Sequence, residues 1–194
     1  AVVEAARSGE GAELEAICAL DTLVVVDEAY IEFGGESVVS MIASHPNLVV
    51  LRTFSKWAGL AGLRVGYSVS DPELASHMMS LKQPYNVNVA ADAGARAALA
   101  HFAEIKETIA SIVAERDRMA RLCAELGWLT PLPSQANFVL FAVGGRRAVD
   151  VAAALRSKGV LVRYYERPDL VNYIRISAGR PEDTDRLLAV LREI

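Results

Sequence analysis

The chain has 194 residues, of which 53% are hydrophobic and 23% are charged, and its formal net charge is −4. These values are typical of a folded soluble protein of one domain or two small ones. The mildly acidic balance argues against nucleic acid or an anionic membrane surface as a partner. The longest apolar runs fall far short of the roughly 20 residues that a membrane helix needs. With nucleic acid and membranes both disfavoured as partners, small-molecule chemistry is the favoured class of function.

The cysteines and histidines give no sign of a metal site or a disulfide. Cys18 and Cys123 lie far apart, and neither has a partner at the spacing of a metal or redox motif. We expect both to be reduced core residues, which favours a cytoplasmic location. His45, His77 and His101 share no ligand spacing, so no zinc site is predicted.

The amino-terminal segment does not resemble a secretory signal. Residues 1–7 lack a basic start, an apolar core and a cleavage pattern, and the first residue is not methionine. We therefore expect the chain to begin partway through a longer protein.

The first half of the chain combines helices with strands that are apolar at every position. Leu23–Val26 ends at Asp27, and Leu48–Leu51 leads to Lys56. Such runs are typical of strands buried on both faces, as in parallel sheets. The predicted elements are, in chain order, a helix over 13–20, strands over 23–26, 48–51 and 64–69, and helices over 73–81, 89–100 and 102–126.

The last of these helices divides the chain. Its apolar residues recur every three or four positions for about 25 residues, which is on the order of 37 Å, and it stops at Gly127. The pattern then restarts, with predicted strands over 136–142, 160–164 and 173–177 and helices over 148–158 and 181–193. We predict a larger domain over 1–108 and a small α+β domain over 109–194, joined by the long helix.

Lys56 stands where open α/β sheets place their ligands. It follows Ser55 just after a buried strand. A lysine that loses its proton there can form an imine with an aldehyde cofactor. On position alone, a surface lysine is the commoner explanation.

Asp27 and Tyr30 follow the neighbouring apolar strand. A carboxylate at Asp27 can keep a pyridine nitrogen protonated, although an acid that caps the next turn is the alternative. Tyr30 can turn its phenol toward the same pocket and hydrogen-bond a ring oxygen, with simple packing as the alternative.

A phosphate clamp is predicted around Arg64. Gly59 and Gly62 let the backbone approach a phosphate, and a guanidinium binds it bidentately. Thr53 and Ser55 add hydroxyl groups. For Arg64 in isolation, pairing with a carboxylate is a plausible alternative. An amine, an acid, a phenol and a phosphate clamp together predict pyridoxal 5'-phosphate as the cofactor.

Three motifs carry a family resemblance: Asp-Glu-Ala-Tyr at 27–30, Thr-Phe-Ser-Lys at 53–56 and Gly-Leu-Ala-Gly-Leu-Arg-Val-Gly-Tyr at 59–67. With these motifs the chain resembles the aspartate-aminotransferase-fold pyridoxal phosphate enzymes, and most closely the histidinol-phosphate aminotransferase subfamily. The resemblance continues through 83–88, 135–138 and 173–179. It implies an α/β fold class: the carboxyl-terminal part of this fold, with part of the large-domain α/β/α sheet and the small α+β domain.

The resemblance also implies roles for individual residues. Lys56 forms the imine and shuttles the proton, Asp27 pairs with the pyridine nitrogen, Tyr30 contacts the ring hydroxyl, and Thr53, Ser55 and Arg64 bind the cofactor phosphate. Arg175 binds the substrate carboxylate or its equivalent, a bidentate task that lysine performs poorly. Arg163, with Arg167 as the alternative, holds the substrate phosphate, and Asn137 and Tyr85 are supporting pocket residues.

The implied reaction is transamination between an amino donor such as histidinol phosphate and 2-oxoglutarate, in histidine biosynthesis. Aromatic amino acids as donors, and decarboxylation of phosphorylated threonine, are alternatives on the same scaffold. Family members are homodimers, so self-association is implied. They also carry further cofactor contacts upstream of this segment, so a fragment without activity of its own is another alternative.

Overall fold

The computed structural model describes residues 11–194, and residues 1–10, with the segment considered above for a secretory signal, lie outside the described part. The chain divides between Lys106 and Glu107 into two compact units. Unit 1 ends at Lys106 and unit 2 comprises Glu107–Ile194. The assignment of a larger cofactor-binding domain and a small domain stays a prediction. Within residues 11–194, no helix is both long and apolar enough to cross a membrane.

Every predicted helix and strand occurs in the predicted order, and residues 11–194 also contain one further strand and three 3-10 helices. Helices are α1 Gly11–Cys18, α2 Pro72–Leu81, α3 Val89–Ala100, α4 Phe102–Ala124, α5 Ala148–Ser157 and α6 Pro181–Glu193. Strands are β1 Val24–Asp27, β2 Leu48–Thr53, β3 Gly66–Ser70, β4 Leu129–Pro131, β5 Phe138–Val143, β6 Arg163–Tyr164 and β7 Tyr173–Ser177. Short 3-10 helices cover Ile31–Phe33, Val39–Ala43 and Ala61–Leu63.

Unit 1 contains a three-stranded sheet in the order β1-β2-β3. Strands β1 and β2 are parallel, as the apolar runs predict, and β3 is antiparallel to β2. Val24, Val26, Leu48 and Val50 are buried in the core, which also holds Leu14 and Cys18 of α1. The parallel pairing brings the carboxyl ends of β1 and β2 to one edge of the sheet.

The predicted start of the third strand is wrong. Arg64 has a left-handed backbone (φ 57°, ψ 44°), which no β-strand accommodates, so pairing begins only at Gly66. Gly66 then faces Thr53 across the ladder. This left-handed residue separates the loop after Lys56 from β3.

The close approach of the β2 backbone leaves no room for a side chain at Gly66. A Cβ atom at this position would lie 2.6 Å from the carbonyl oxygen of Arg52. We expect Gly66→Ala to lower the free energy of unfolding by about 1–3 kcal/mol, because β2 and β3 must shift apart. Gly62→Ala is the matched control, since nothing lies within 4 Å of a Cβ there, and it is expected to be neutral or stabilising by up to about 1 kcal/mol. Denaturant unfolding measures both, and equal effects would contradict the clash.

Unit 2 contains an antiparallel four-stranded sheet in the order β4-β5-β7-β6. Alternation along β5 buries Val139, Phe141 and Val143 against α5 and α6. On β7, Ile174 and Ile176 join the same core. Arg175 lies between them in sequence and therefore points to the opposite face of the sheet.

Two strands of unit 2 differ from prediction. The short strand β4 was not predicted, because three residues give too little alternation to recognise. The strand predicted over 160–164 is reduced to Arg163–Tyr164. Gly159 has φ +78°, and the amide of Val160 hydrogen-bonds the carbonyl of Leu155, so the chain is still leaving α5 at this point.

Candidate cofactor and substrate sites

Asp27 and Lys56 are delivered to the same edge of the unit 1 sheet. Asp27 is the last residue of β1 and is in register with Leu51 on the parallel strand β2. Lys56 follows three residues after the end of β2 at Thr53. The Asp27 carboxylate accepts a hydrogen bond of 2.9 Å from the amide of Ala29 and remains exposed. It is thus oriented by its own turn and still open to a ligand.

The lysine turn is held by aromatic packing on both sides. Phe54 and Trp57 are buried, with ring centroids 5.3 Å apart, whereas Lys56 between them is exposed. The ammonium nitrogen of Lys56 lies 5.4 Å from the centroid of the Tyr30 ring. Two residues twenty-six positions apart in sequence, the predicted imine lysine and the predicted ring-oxygen partner, are therefore neighbours.

The hydroxyls of Thr53 and Ser55 have different positions in the turn. Thr53 Oγ1 donates to the carbonyl of Val65 at 3.4 Å and accepts from the amide of Ser55 at 3.0 Å. Within residues 11–194 the Ser55 hydroxyl has no hydrogen-bond partner. Ser55 is consequently the hydroxyl that is free to bind a phosphate, and Thr53 holds the turn that presents it.

Arg64 is a backbone outlier at the predicted phosphate clamp. It is the only non-glycine residue with positive φ in the part of the chain that the structure describes. Such a conformation costs about 1–3 kcal/mol and tends to occur at functional sites. Its Nη1 donates to the carbonyl of Ala61 at 3.0 Å. Arg64 makes no ion pair with any residue of 11–194, so these residues do not provide the structural carboxylate partner of the alternative explanation.

The residues of unit 1 fit pyridoxal 5'-phosphate. The edge of the sheet carries an amine beside a phenol, an exposed carboxylate, a free hydroxyl and a guanidinium with no carboxylate partner in the described chain. These groups match the aldehyde, the ring oxygen, the ring nitrogen and the phosphate of that molecule. Among residues 11–194 there is no group of three or more His, Cys, Asp or Glu side chains that could hold a metal ion.

Sequence reasoning missed a buried polar network beside this edge. Glu28 is 6% exposed, and its carboxylate binds Arg52, Ser37 and the backbone of Val38. Glu28 belongs to the Asp-Glu-Ala-Tyr motif, and its position next to Asp27 is the one sequence feature that could have drawn attention to it. Nothing in the sequence pattern indicates that Arg52 is its partner.

The predicted substrate residues of unit 2 include a pair of facing arginines. Arg163 on β6 and Arg175 on β7 are directly opposite each other in the ladder. Both line a cavity of about 440 Å³. The guanidinium carbon of Arg175 lies 4.7 Å from the Phe138 ring centroid, and that of Arg163 lies 5.2 Å from the Tyr165 ring centroid. Two guanidinium side chains at opposite positions of the ladder and on one cavity are suited to binding an anion.

Arg175 has a buried donor without a partner. Its Nε has no hydrogen-bond acceptor within residues 11–194. The alternative phosphate ligand, Arg167, instead binds both carboxylate oxygens of Asp169, at 3.1 and 2.8 Å. That contact lowers the pKa of Asp169. Arg163 is therefore the better placed of the two candidates.

The remaining predicted residues are less well defined. Asn137 adjoins β5 and is half-buried, and its carbonyl accepts the amide of Ala178. Tyr85 is 94% exposed and belongs to unit 1, where it has no packing role in the described chain.

Comparisons with known proteins identify the family. The family model "Aminotransferase class I and II" matches residues 9–191, so the chain belongs to this family and has its fold. A histidinol-phosphate aminotransferase of Dehalococcoides mccartyi is 47% identical over 182 residues, which are 94% of this chain and 51% of that protein. The chain thus spans about half the length of the curated relatives it matches.

Two solved structures are similar over most of the chain. One is a histidinol-phosphate aminotransferase from Sinorhizobium meliloti in complex with pyridoxal-5'-phosphate, with a TM-score of 0.78 and 33% identity, covering 92% of this chain and 53% of that one. The other is an L-threonine-O-3-phosphate decarboxylase from Porphyromonas gingivalis, with a TM-score of 0.81 and 25% identity, covering 94% of this chain and 57% of that one.

Proposed function

We propose that the protein containing this chain is a pyridoxal phosphate-dependent aminotransferase that acts on histidinol phosphate and 2-oxoglutarate, in histidine biosynthesis. The observation that carries the proposal is the contact of Lys56 with Tyr30 beside Asp27 at one edge of the sheet. Family membership and the relatives named histidinol-phosphate aminotransferase support it.

Each residue of the site has a specific task under this proposal. Bound pyridoxal phosphate supplies a ring that accepts electrons from the substrate carbon. Lys56 Nζ takes the proton from that carbon and returns it, and the Asp27 carboxylate holds a proton on the ring nitrogen. Arg64 and Ser55 bind the phosphate and so fix the ring's position, and Thr53, the third predicted phosphate ligand, holds the turn that presents Ser55. Tyr30 donates its hydroxyl hydrogen to the ring oxygen.

The facing arginines favour a phosphorylated substrate. We propose that Arg175 binds the carboxylate or its equivalent on the substrate and that Arg163 binds the phosphate, with Asn137 and Tyr85 in supporting positions. A guanidinium binds such groups bidentately. The phosphate of histidinol phosphate is a dianion whose oxygens can accept from both guanidiniums, whereas the carboxylate of an aromatic amino acid carries one charge that a single guanidinium binds, so the arginine pair favours histidinol phosphate over aromatic donors.

The decarboxylase relative supports a second candidate reaction, since phosphothreonine carries the same phosphate. Product analysis separates the two. With histidinol phosphate and 2-oxoglutarate, we expect the intact protein to form glutamate in proportion to donor consumed. Release of carbon dioxide from phosphothreonine without consumption of a keto acid would overturn the proposed function in favour of decarboxylation.

We propose a homodimer in the cytoplasm. The segment from α2 to α3 exposes large apolar side chains, among them Leu81 (85%), Tyr85 (94%) and Val89 (86%), which are suited to contact with a second copy. Cys18 and Cys123 are both free and buried, which suits a reducing compartment. The mass of the intact protein in solution tests the dimer.

A further inference from the structure

The carboxylate of Glu28 closes the loop that carries Tyr30. Its Oε1 accepts the amide of Val38 at 2.7 Å, and its Oε2 accepts the hydroxyl of Ser37 at 2.9 Å. Residues 28 and 38 are thereby tied together at the base of the loop, and Tyr30 lies within it. The loop includes the 3-10 helix Ile31–Phe33, and its glycines Gly34 and Gly35 have positive φ. Its conformation therefore depends on how its ends are held.

Arg52 connects this loop to the strand that leads to Lys56. Its Nε donates to Glu28 Oε2 at 3.0 Å, and its Nη2 donates to the hydroxyl of Ser37 at 2.8 Å. Arg52 is on β2, four residues before Lys56. The Arg52 guanidinium thus contacts Glu28, the first residue of the Tyr30 loop, and Ser37, which lies at the other end of the loop.

Burial makes this ion pair sensitive to substitution. The Glu28 and Arg52 side chains are 5% and 21% exposed, so removing one partner leaves a poorly solvated charge. Burial alone lowers the pKa of Arg52, but its contacts with Tyr67 and Glu28 outweigh this and the pKa is raised. Nearby Glu32 is half-buried, and desolvation raises the pKa of its carboxyl. Arg52 is consequently committed to its cationic form beside Glu28.

We propose that the Glu28–Arg52 ion pair, bridged by Ser37, is a positioning device that holds Tyr30 against Lys56 and sets the proton affinity of the imine formed there. This role deepens the proposed function and rests on it. Glu28 and Arg52 act through Tyr30 and have no task of their own on the substrate. A buried ion pair is weak as a source of stability, but the hydrogen bonds among Glu28, Arg52 and Ser37 fix the two ends of the loop relative to β2.

The pH dependence of the imine absorption band tests the proposal. A hydrogen bond from Tyr30 to the ring oxygen weakens that oxygen as an acceptor for the imine proton. We expect Tyr30→Phe to lower the acid dissociation constant of the imine by about tenfold or more, the range of one hydrogen bond to a charged group. Glu28→Gln is expected to shift it in the same direction by at least about threefold, because Tyr30 loses its position.

The double variant distinguishes positioning from general destabilisation. In the Tyr30→Phe background, Glu28→Gln is expected to add no further shift, since residues that act through one another are not additive. An unchanged band in Glu28→Gln, or a full additional shift in the double variant, would overturn the proposal. Ser37→Ala, which removes only the bridging hydroxyl, gives the same test if Glu28→Gln does not fold. Asp92→Asn removes a carboxylate from the exposed Asp92–Arg96 pair and is the control, with no shift expected.

A second readout is independent of the cofactor. If the intact protein that contains this chain shows no imine band, the proposed function fails, and the positioning is then measured by acetic anhydride labelling of Lys56 and by amide exchange at Val38. Glu28→Gln is expected to speed exchange at Val38 about tenfold, through loss of one charged hydrogen bond, and to change the Lys56 labelling rate at least about threefold. Faster exchange at Val38 with unchanged labelling of Lys56 would show that the ion pair only closes the loop.

Discussion

Replacing Lys56 with alanine is expected to eliminate the imine absorption band and to reduce transamination by at least about 10²–10⁴-fold. Loss of proton transfer alone accounts for this reduction in rate, because a positioned acid–base group contributes about 10²–10⁴-fold. Loss of the covalent attachment to the cofactor reduces the rate further. No other lysine lies in the turn between the two buried aromatic residues Phe54 and Trp57. The turn itself does not depend on the lysine, so the variant is expected to fold.

The measurement is absorbance after addition of pyridoxal phosphate, followed by borohydride reduction and mass analysis of the modified peptide. Lys106→Ala is the matched control, since it removes an exposed lysine from α4 of the same unit and is expected to retain the band. A band of wild-type intensity in Lys56→Ala would reject this residue as the imine-forming lysine.

The same measurement bears on the fragment alternative. The chain spans about half the length of its curated relatives, and each missing charged hydrogen bond to the cofactor costs about 1.5–3 kcal/mol of affinity. If the 194-residue chain gives no band while a longer protein containing it does, then the chain requires cofactor contacts from outside this segment. A Lys56-dependent band in both would make this segment sufficient for attachment.

The parts of the fold that could be predicted are those with a strong local signal. The runs Leu23–Val26 and Leu48–Leu51 predicted buried parallel strands, and β1 and β2 pair in parallel. The bounds of α3, β7 and α6 agree with prediction because asparagine, glycine or proline marks their ends. In contrast, β4 and the start of β6 depend on pairing with distant strands and have no local pattern of their own.

The candidate site was predictable as a set of residue types but not as geometry. The motifs around Asp27, Lys56 and Arg64 indicate the chemistry from sequence. The left-handed backbone of Arg64 is imposed by the loop between the 3-10 helix and β3, and propensity alone favours glycine there. The partner of Glu28 was equally hidden, because Arg52 is distant in sequence and the pairing of β1 with β2 brings the two together.

Replacing Arg175 with lysine is expected to raise the KM for both substrates by about 10–100-fold with little change in kcat. Loss of one charged hydrogen bond costs about 1.5–3 kcal/mol, and each 1.4 kcal/mol is tenfold in affinity. Lysine keeps the charge but lacks the planar fork and the stacking that Arg175 has on Phe138. It also lacks Nε, the buried donor that has no partner within residues 11–194.

Replacing Arg163 with lysine tests whether the phosphate of histidinol phosphate and the carboxylate of 2-oxoglutarate are bound by different arginines. Because Arg163 is assigned to the phosphate alone, its replacement is expected to raise the KM for histidinol phosphate and leave that for 2-oxoglutarate within about twofold. Arg186→Lys is the matched control: it lies on the same cavity, but its Nη2 is engaged by the carbonyl of Lys158 at 3.2 Å. Steady-state kinetics with each substrate varied in turn provides the measurement. Equal effects of Arg163→Lys on both substrates would contradict the division of tasks, and the pair would then act as one undivided anion site.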